Sequence, residues 1–589
     1  MKKLYIFSLI GILMLGVFAS CEDLDDSIGT DPYGGGKEPL GIKLLSQAPV
    51  PSSGVPGDTI LFHAKGLSAW CNPSASRYDF KMYMGDEEVE IVDATDSTLL
   101  VKVPQEVSTG ITYLVLQNQV FYGPTFTING NVSIDTNYGL YKNQMQFSGA
   151  IYDAMESKQR NQGGTFYIVG DFSYKINNSW TTCHGIGLVD GNGNITSATN
   201  NYFECLNGTV VQSSDGETTY PSSISLLSDN RMLVSGMFSN FYVPLTKNQQ
   251  LLLGTTGNTV NADNICLLSP TALADTMQVT FSDSYTTSGT TVTYLPLPVS
   301  RFNGGFQQQV VRSFVVPASE AAKAETGADQ QVIAVGNMTQ YVATAWGTSY
   351  AGSQQVTTDV SGVVRMNLDG SLDDTYRPAS LRLKGAQGGT IVDACVDEKG
   401  GIIVVGSFTS FDGVEARGIV RLDNMGRVDE AFMSNLQGGT NGKISSVNYN
   451  KGIKAIAIAG NFTQVGGHTT QYVALIGMDG KVDEKFMATG FEGGQPTFVS
   501  IVSQQKPKLV LSGTFTKYAG IHRPGFLILD KDGVATQRYN VSGTFSGTLH
   551  KVLETTTSLG GYGLLLFGDF TTFNSQTVNN AVMLQADFR

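Results

Sequence analysis

The chain has 589 residues, of which 68 are glycine and only 15% are charged, a composition of turn-rich β structure, and no long segment outside the N-terminus has helical periodicity. Its 51 acidic against 38 basic residues give a net charge of −13. That balance argues against nucleic acid or an anionic membrane surface as ligand, because phosphate binding draws on clustered Lys and Arg, and leaves neutral or basic ligands open.

In chain order, Met1-Lys2-Lys3 form a basic start, residues 4–18 an apolar stretch, and Ala19-Ser20 a small pair before Cys21. About 15 apolar residues fall short of the roughly 20 that a permanent span needs. The pattern resembles a bacterial lipoprotein signal, although Phe18 and Ser20 depart from its commonest residues. The resemblance implies removal of residues 1–20 and lipidation of Cys21. Glu22-Asp23-Leu24-Asp25-Asp26 and the glycines at 34–36 follow, and such a charged, Gly-rich stretch at 21–39 reads as a solvated tether. Acidic residues directly behind a lipidated cysteine resemble the surface-export signal of Bacteroidetes lipoproteins, which implies an outer-membrane protein facing the cell exterior.

Residues 40–128 alternate apolar and polar positions over many short strands, with turn signals at 51–58 and Pro104. The order PVPSSGVPGDTILFHAKGL, MYMGDEEVEIVDATDSTLLVKVP, GITYLVLQN, GPTFTI resembles the immunoglobulin-like IPT/TIG fold. The resemblance implies a spacer holding a distal module off the membrane.

From residue 129 to 589 a β-rich run ending in Gly-x-Phe or Gly-x-Met recurs seven times. The runs are YIVGDF (167–172), MLVSGMF (232–238), VIAVGNM (332–338), IIVVGSF (402–408), AIAIAGNF (455–462), LVLSGTF (509–515) and LLLFGDF (564–570). Gly406, Gly460, Gly513 and Gly568 lie 54, 53 and 55 residues apart, a period of one four-stranded propeller blade. Each regular repeat continues through a strand and a tight turn to an acidic residue: VVRMNLDGSLDDTY, IVRLDNMGRVDEAF, ALIGMDGKVDEKF. Glycine at that turn supplies the positive φ a hairpin needs. Spacings of 66 and 100 residues between earlier copies imply insertions, and residues 319–329 in one of them predict a short helix. The final AVMLQADFR lacks the D-G-x-L-D strand that should follow, whereas NGNVSIDTNY at 129–138 matches it. The first strand is therefore expected to complete the last blade and remove two free edges. These blocks resemble the delta-60 repeat family, which implies an all-β chain with a seven-bladed β-propeller closed between its N- and C-terminal strands.

No catalytic grouping is found: no G-x-S-x-G, H-E-x-x-H or Walker loop is present, and the five histidines are scattered. The chain is read as not an enzyme, with a carbohydrate-active enzyme as the weaker alternative, and with no cofactor and no metal site. Cys71, Cys183, Cys205, Cys266 and Cys395 contain no C-x-x-C pair, and buried thiols are preferred to a Cys183–Cys205 bridge. SSDGETTY at 213–220 departs from the sialidase Asp-box, and the Asp190-Gly-Asn192-Gly-Asn194 run fits a hairpin turn better than a calcium loop. The recurrent Asp373, Asp429 and Asp483 read as turn stabilisers, and Tyr341, Phe411, Tyr518 and Phe573 as packing.

Trp180 and Trp346 each follow a motif glycine by ten residues, in loops longer than those of the regular blades, and Tyr242 lies in the same loop of the second. Aromatic faces with neighbouring Asn, Gln and Thr suit a sugar. These three are the candidate glycan-binding residues. The layout resembles surface glycan-binding proteins that accompany SusC/SusD-type importers, which implies a polysaccharide or oligosaccharide ligand, such a transporter as partner, a lipid anchor as the only membrane contact, and no nucleic acid. The alternative is a docking subunit of such a transporter, with a peptide importer among the options, without sugar affinity. An aromatic-lined depression is expected of a binder and a broad apolar patch of a docking subunit.

Overall fold

The computed structural model describes residues 40–588 except 73–76, 144–145, 158–163, 177–178, 183–184, 196–219, 244, 254–258, 271–272, 283, 288–289, 294–295 and 503–505. Cys21 with its signal and tether, Cys183, Cys205 and the Asp-box-like residues 213–219 lie outside the described residues. Among those described, no helix is long and apolar enough to cross a membrane.

Strict alternation in Thr59–Lys65 buries Ile60, Phe62 and Ala64 and turns the intervening residues outward. This strand belongs to a four-stranded sheet ordered Lys43–Leu44, Thr59–Lys65, Thr98–Lys102, Glu90–Ala94. A five-stranded sheet faces it, ordered Ser53–Gly54, Gln119–Ile128, Gly110–Leu116, Lys81–Met84, Glu87–Glu88. Phe62 of one sheet meets Phe126 of the other with ring centroids 6.0 Å apart, in a shared core with Met82, Leu99 and Leu114. Trp70 anchors its loop by donating its indole N–H to Leu40 O at 3.1 Å.

Every Gly-x-Phe or Gly-x-Met run forms the middle strand of its own antiparallel sheet. In the fourth repeat the order is Ile391–Val396, Ile402–Gly406, Ile419–Leu422, with Val428 bridging Leu422. The motif aromatic or methionine is buried in all seven copies, from Phe172 to Phe570. Its glycine is dictated by close approach: a Cβ on Gly406 would sit 2.0 Å from Thr390 O, and one on Gly568 would sit 2.1 Å from Thr548 O. The glycine of the outer turn has the other cause, with φ of 88° at Gly370 and 84° at Gly480.

The first strands of these sheets lie side by side in chain order, and Ser546–Thr556 of the last lies against Ile151–Glu156 of the first. This is the arrangement of a β-propeller. In the last sheet Val132–Ile134 runs antiparallel to Ala581–Ala586, pairing Val132 with Ala586 and Ile134 with Leu584. The N-terminal strand thus supplies what the C-terminus lacks. Asp135, next in line, accepts from Asn137 N and from Ser558 Oγ, as the recurrent acids do in their turns: Asp373 accepts from Thr375 N, Asp483 from Lys485 N. Asp190 accepts from Asn192 N and Asn194 N, closing a hairpin.

The expected helix spans Glu320–Thr326, with the Ser319 hydroxyl capping Ala322 N and Gly327 left-handed at its end. A further helix, Glu430–Asn435, is capped by Asp429, so in this repeat the recurrent acid starts a helix. The sandwich seats on the sixth repeat: buried Arg523 donates to Ser108 Oγ at 2.6 Å, Gln537 Nε2 donates to Val107 O at 2.6 Å, and Val541 enters the sandwich core.

Candidate functional site

Among the described residues a channel and a groove bring polar side chains together, beside a third hollow of about 610 Å³ lined by Asn131, Ser133, Thr557, Gln585 and Asp587. The first is the central channel, about 650 Å³, lined by the innermost strands. Each of these strands carries a bulge near its start, and the residue after it is in turn Asp153, Ser223, Arg312, Asp393, Ser446, Phe498 and Lys551. Several bind the next sheet's backbone: Asp153 accepts from Ile224 N at 3.1 Å, Ser223 Oγ from Ser313 N at 3.1 Å, and Asp393 from Val447 N at 3.1 Å.

The charges in this belt are mutually compensated. Lys551 Nζ lies 2.8 Å from Asp153, and Arg312 Nε donates to Asp393 at 2.8 Å while its Nη1 is 4.0 Å from Asp153. Burial alone would raise the Asp153 carboxyl, but the Lys551 ammonium and Arg312 guanidinium outweigh it and hold the group below the usual carboxylate range. Burial, aided by Arg312, pushes His550 down to about 4, so its imidazole is neutral at pH 7. Its ring lies 5.1 Å from Tyr152, which stacks on Tyr220 at 4.5 Å. With its cations paired and its carboxylates bonded to backbone, this belt joins neighbouring sheets.

The second region is a groove of about 520 Å³ between the second and third repeats. Its one wall comes from the hairpin pairing Asn240–Tyr242 with Thr259–Asn261, and its other from the hairpin pairing Gln340–Ala345 with Gln354–Asp359. Trp346 and Tyr350 line it with Asn240, Asn261, Asp263, Thr344, Gln354 and Gln355. Asn303 fixes the wall by clamping Thr344, its Nδ2 donating to the carbonyl at 2.8 Å and its Oδ1 accepting from the N–H at 3.0 Å. Burial pushes the Asp263 carboxyl up from its ordinary value.

The structure separates the three predicted site residues. Trp346 enters the groove, but it is no free loop residue: its ring packs edge-on against Phe281 at 6.0 Å, in a small core with Tyr350, Leu297 and Val299. An unaffected fold is therefore not expected of its truncation. Trp180 is 52% exposed on Ser179–Thr182, opposite Lys175, whose Nζ is 6.0 Å from the indole, and it is not part of the groove. Tyr242 belongs to the hairpin that forms one wall, and its side chain lies outside the described residues. Asp263, Gln354 and Gln355 were missed because single polar residues before or inside strands carry no sequence signal of convergence.

No curated protein matches this sequence. Among solved structures, a Bacteroides thetaiotaomicron protein of unknown function is similar at 12% identity and TM-score 0.23, covering 94% of this chain and 98% of that one. The β-propeller domain of Cps50 (Swd1) from Myceliophteria thermophila is similar at 7% identity and TM-score 0.33, over 75% and 97% of the two chains. An auxiliary nutrient binding protein from Bacteroides thetaiotaomicron is similar at 11% identity and TM-score 0.19, over 80% and 94%. All three superpositions fall below a TM-score of 0.5, and none bears on the reading of the groove. Residues 17–124 match the model of a domain of unknown function, DUF5008, and residues 128–226 that of another, DUF5124. Residues 400–432, which hold the middle and outer strands of the fourth repeat, match the model described as a domain of unknown function (DUF5122) beta-propeller.

Proposed function

We propose that this chain is a lipid-anchored surface protein of a Bacteroidetes-type outer membrane that captures a glycan and presents it to a SusC/SusD-type importer. On this reading residues 1–20 are a signal, 21–39 a tether, 40–128 an IPT/TIG-type spacer, and 129–589 a seven-bladed, delta-60-type propeller. The chain binds and does not catalyse. The observation that carries the reading is the groove, an aromatic-lined depression in which amide and hydroxyl groups surround Trp346 and Tyr350. Aromatic faces stack on sugar C–H faces while such groups bond the hydroxyls, and both come from loops on a rigid scaffold. Trp346 is the anchor we assign, with Tyr242 on the opposite wall and Trp180 as outlying contacts for a longer chain.

Screening the protein on a glycan array and titrating the hits by calorimetry tests this. Trp346→Ala should weaken binding more than roughly tenfold, since losing a buried aromatic anchor commonly costs about 2 kcal/mol or more. Because Trp346 also supports a small core, Gln355→Ala serves as a second variant: exposed and lining the groove, it should lose about fivefold with an unchanged melting temperature. Unchanged affinity in both variants would place the ligand elsewhere. For the anchor, Cys21→Ala should leave the protein in the soluble fraction and abolish surface labelling of intact cells; continued membrane attachment would sink the lipoprotein claim.

A specific surface favours the second reading, a docking subunit. The outer face of the five-stranded sheet exposes Ile111 at 52% and Tyr122 at 69%, beside Tyr113, which stacks on Tyr83 at 5.1 Å. If no polysaccharide binds while the protein co-purifies with a transporter, docking through this face replaces glycan capture.

A further inference from the structure

The groove has an electrostatic character that narrows its ligand beyond the glycan class. Among its lining residues there is no Lys, Arg or His, and its one carboxylate is that of Asp263. The nearest cation in sequence, Arg301, sits between two lining residues but is committed: its Nε donates to Asp275 at 2.9 Å and its Nη2 to Thr276 O at 3.0 Å. Arg231 is likewise taken up by Asp229 and Asp275. An anionic sugar entering here would give up its hydration with no cation to replace it, beside a like charge, in a protein whose net charge is already −13. A neutral sugar meets no such penalty.

Asp263 also has an unused capacity. It is half-buried, its main-chain carbonyl accepts from Phe306 N at 2.8 Å, and among the described residues no hydrogen bond or ion pair reaches its carboxylate. An ionised carboxylate accepts several hydrogen bonds and donates none, so it suits adjacent hydroxyls of an uncharged pyranose. Trp346, on the other wall of the same groove, suits the ring's C–H face.

We propose that the Trp346 groove selects uncharged glycans, with the Asp263 carboxylate accepting from sugar hydroxyls and repelling uronate and sulfate groups. This rests on the glycan-binding reading above. The test titrates the full chain with size-matched hexasaccharides, the neutral set being those of glucose, mannose and xylose and the acidic set those of galacturonic and guluronic acid. At least one neutral hexasaccharide should bind, every uronate should bind at least thirtyfold more weakly, and Asp263→Asn should weaken the neutral ligand about tenfold while narrowing the gap to the uronates. A uronate that binds wild type as tightly as the neutral sugars overturns the selectivity and leaves glycan binding standing, and that comparison needs no variant to fold. Neutral binding unchanged in a folded Asp263→Asn overturns the role of Asp263. Failure of both sets to bind overturns the glycan reading and this inference with it.

Discussion

Deleting residues 1–139 is expected to yield a protein that aggregates or melts on the order of 10 °C lower than one lacking only residues 1–128. Both truncations remove the sandwich and expose Arg523, so that cost is common to the pair and cancels in the comparison. The longer deletion alone removes Val132–Ile134, whose Val132 and Ile134 are 2% and 7% exposed in a core with Tyr539, Phe588 and Leu584. Burying two such side chains is worth about 1.5–3 kcal/mol each, and the lost strand pairing adds to it. Deletion also uncovers the edge of Ala581–Ala586, a largely apolar strand open to pairing with another chain. Differential scanning fluorimetry and light scattering on the two proteins read the effect directly; equal stability would mean that the pairing does not close the last sheet.

The second large effect lies in the channel. Asp153→Ala should destabilise the protein by about 3 kcal/mol, because Lys551 then loses its counter-charge, Arg312 keeps only Asp393, and Ile224 N loses its acceptor. Combining it with Lys551→Met should recover part of that loss, an outcome that mere cavity formation would not produce. Two shifted groups of the channel contribute to the pH dependence, and burial depresses His522 at the sandwich contact in the same direction as His550. A carboxyl held below its unfolded value contributes stability above pH about 4 that is lost as pH falls towards the folded value, and Asp153 is such a group. A histidine depressed to about 4 contributes stability that is complete above its unfolded pKa of about 6.5 and is lost between there and about 4. Acidification should therefore weaken the protein in two stages, the histidines first, and His550→Gln should reduce the first stage while leaving the second. A urea midpoint independent of pH between 6.5 and 4 would contradict this.

Much of the architecture was legible because it depends on backbone geometry that only certain residues permit. Gly406 and its equivalents recur because the bulge of the neighbouring strand brings a carbonyl within 2.0–2.7 Å of where a Cβ would stand. Gly370 and Gly480 recur because their turns need positive φ, and the match of residues 129–138 to the missing outer strand follows from the same spacing. The helix at Glu320–Thr326 falls within the 319–329 run expected to hold one, and Ser319 and Gly327 cap it. Glu430–Asn435 did not, since six residues hold too little periodicity to distinguish them from a turn.

The belt in the channel was invisible for a different reason. Asp393 precedes its motif glycine by 13 residues and Arg312 by 24, because the connecting loops differ in length, so no fixed offset marks the ring. Nor do its residue types repeat: an arginine in one sheet answers an aspartate in the next. In the groove, aromatic character identified Trp346, but Phe281, which braces it, comes from an inserted segment outside the repeat alignment. Exposure distinguishes Trp180 from Trp346, and exposure is a tertiary property that the matching ten-residue offset does not encode.

The most direct test of glycan capture is a crystal structure of the protein with a neutral oligosaccharide chosen by its affinity in solution. A sugar ring seated against Trp346, with hydroxyls within hydrogen-bond distance of Asp263 and Gln355, is the predicted result. A sugar bound on another surface, with the groove between the Asn240–Tyr242 and Gln340–Ala345 hairpins empty, would contradict it.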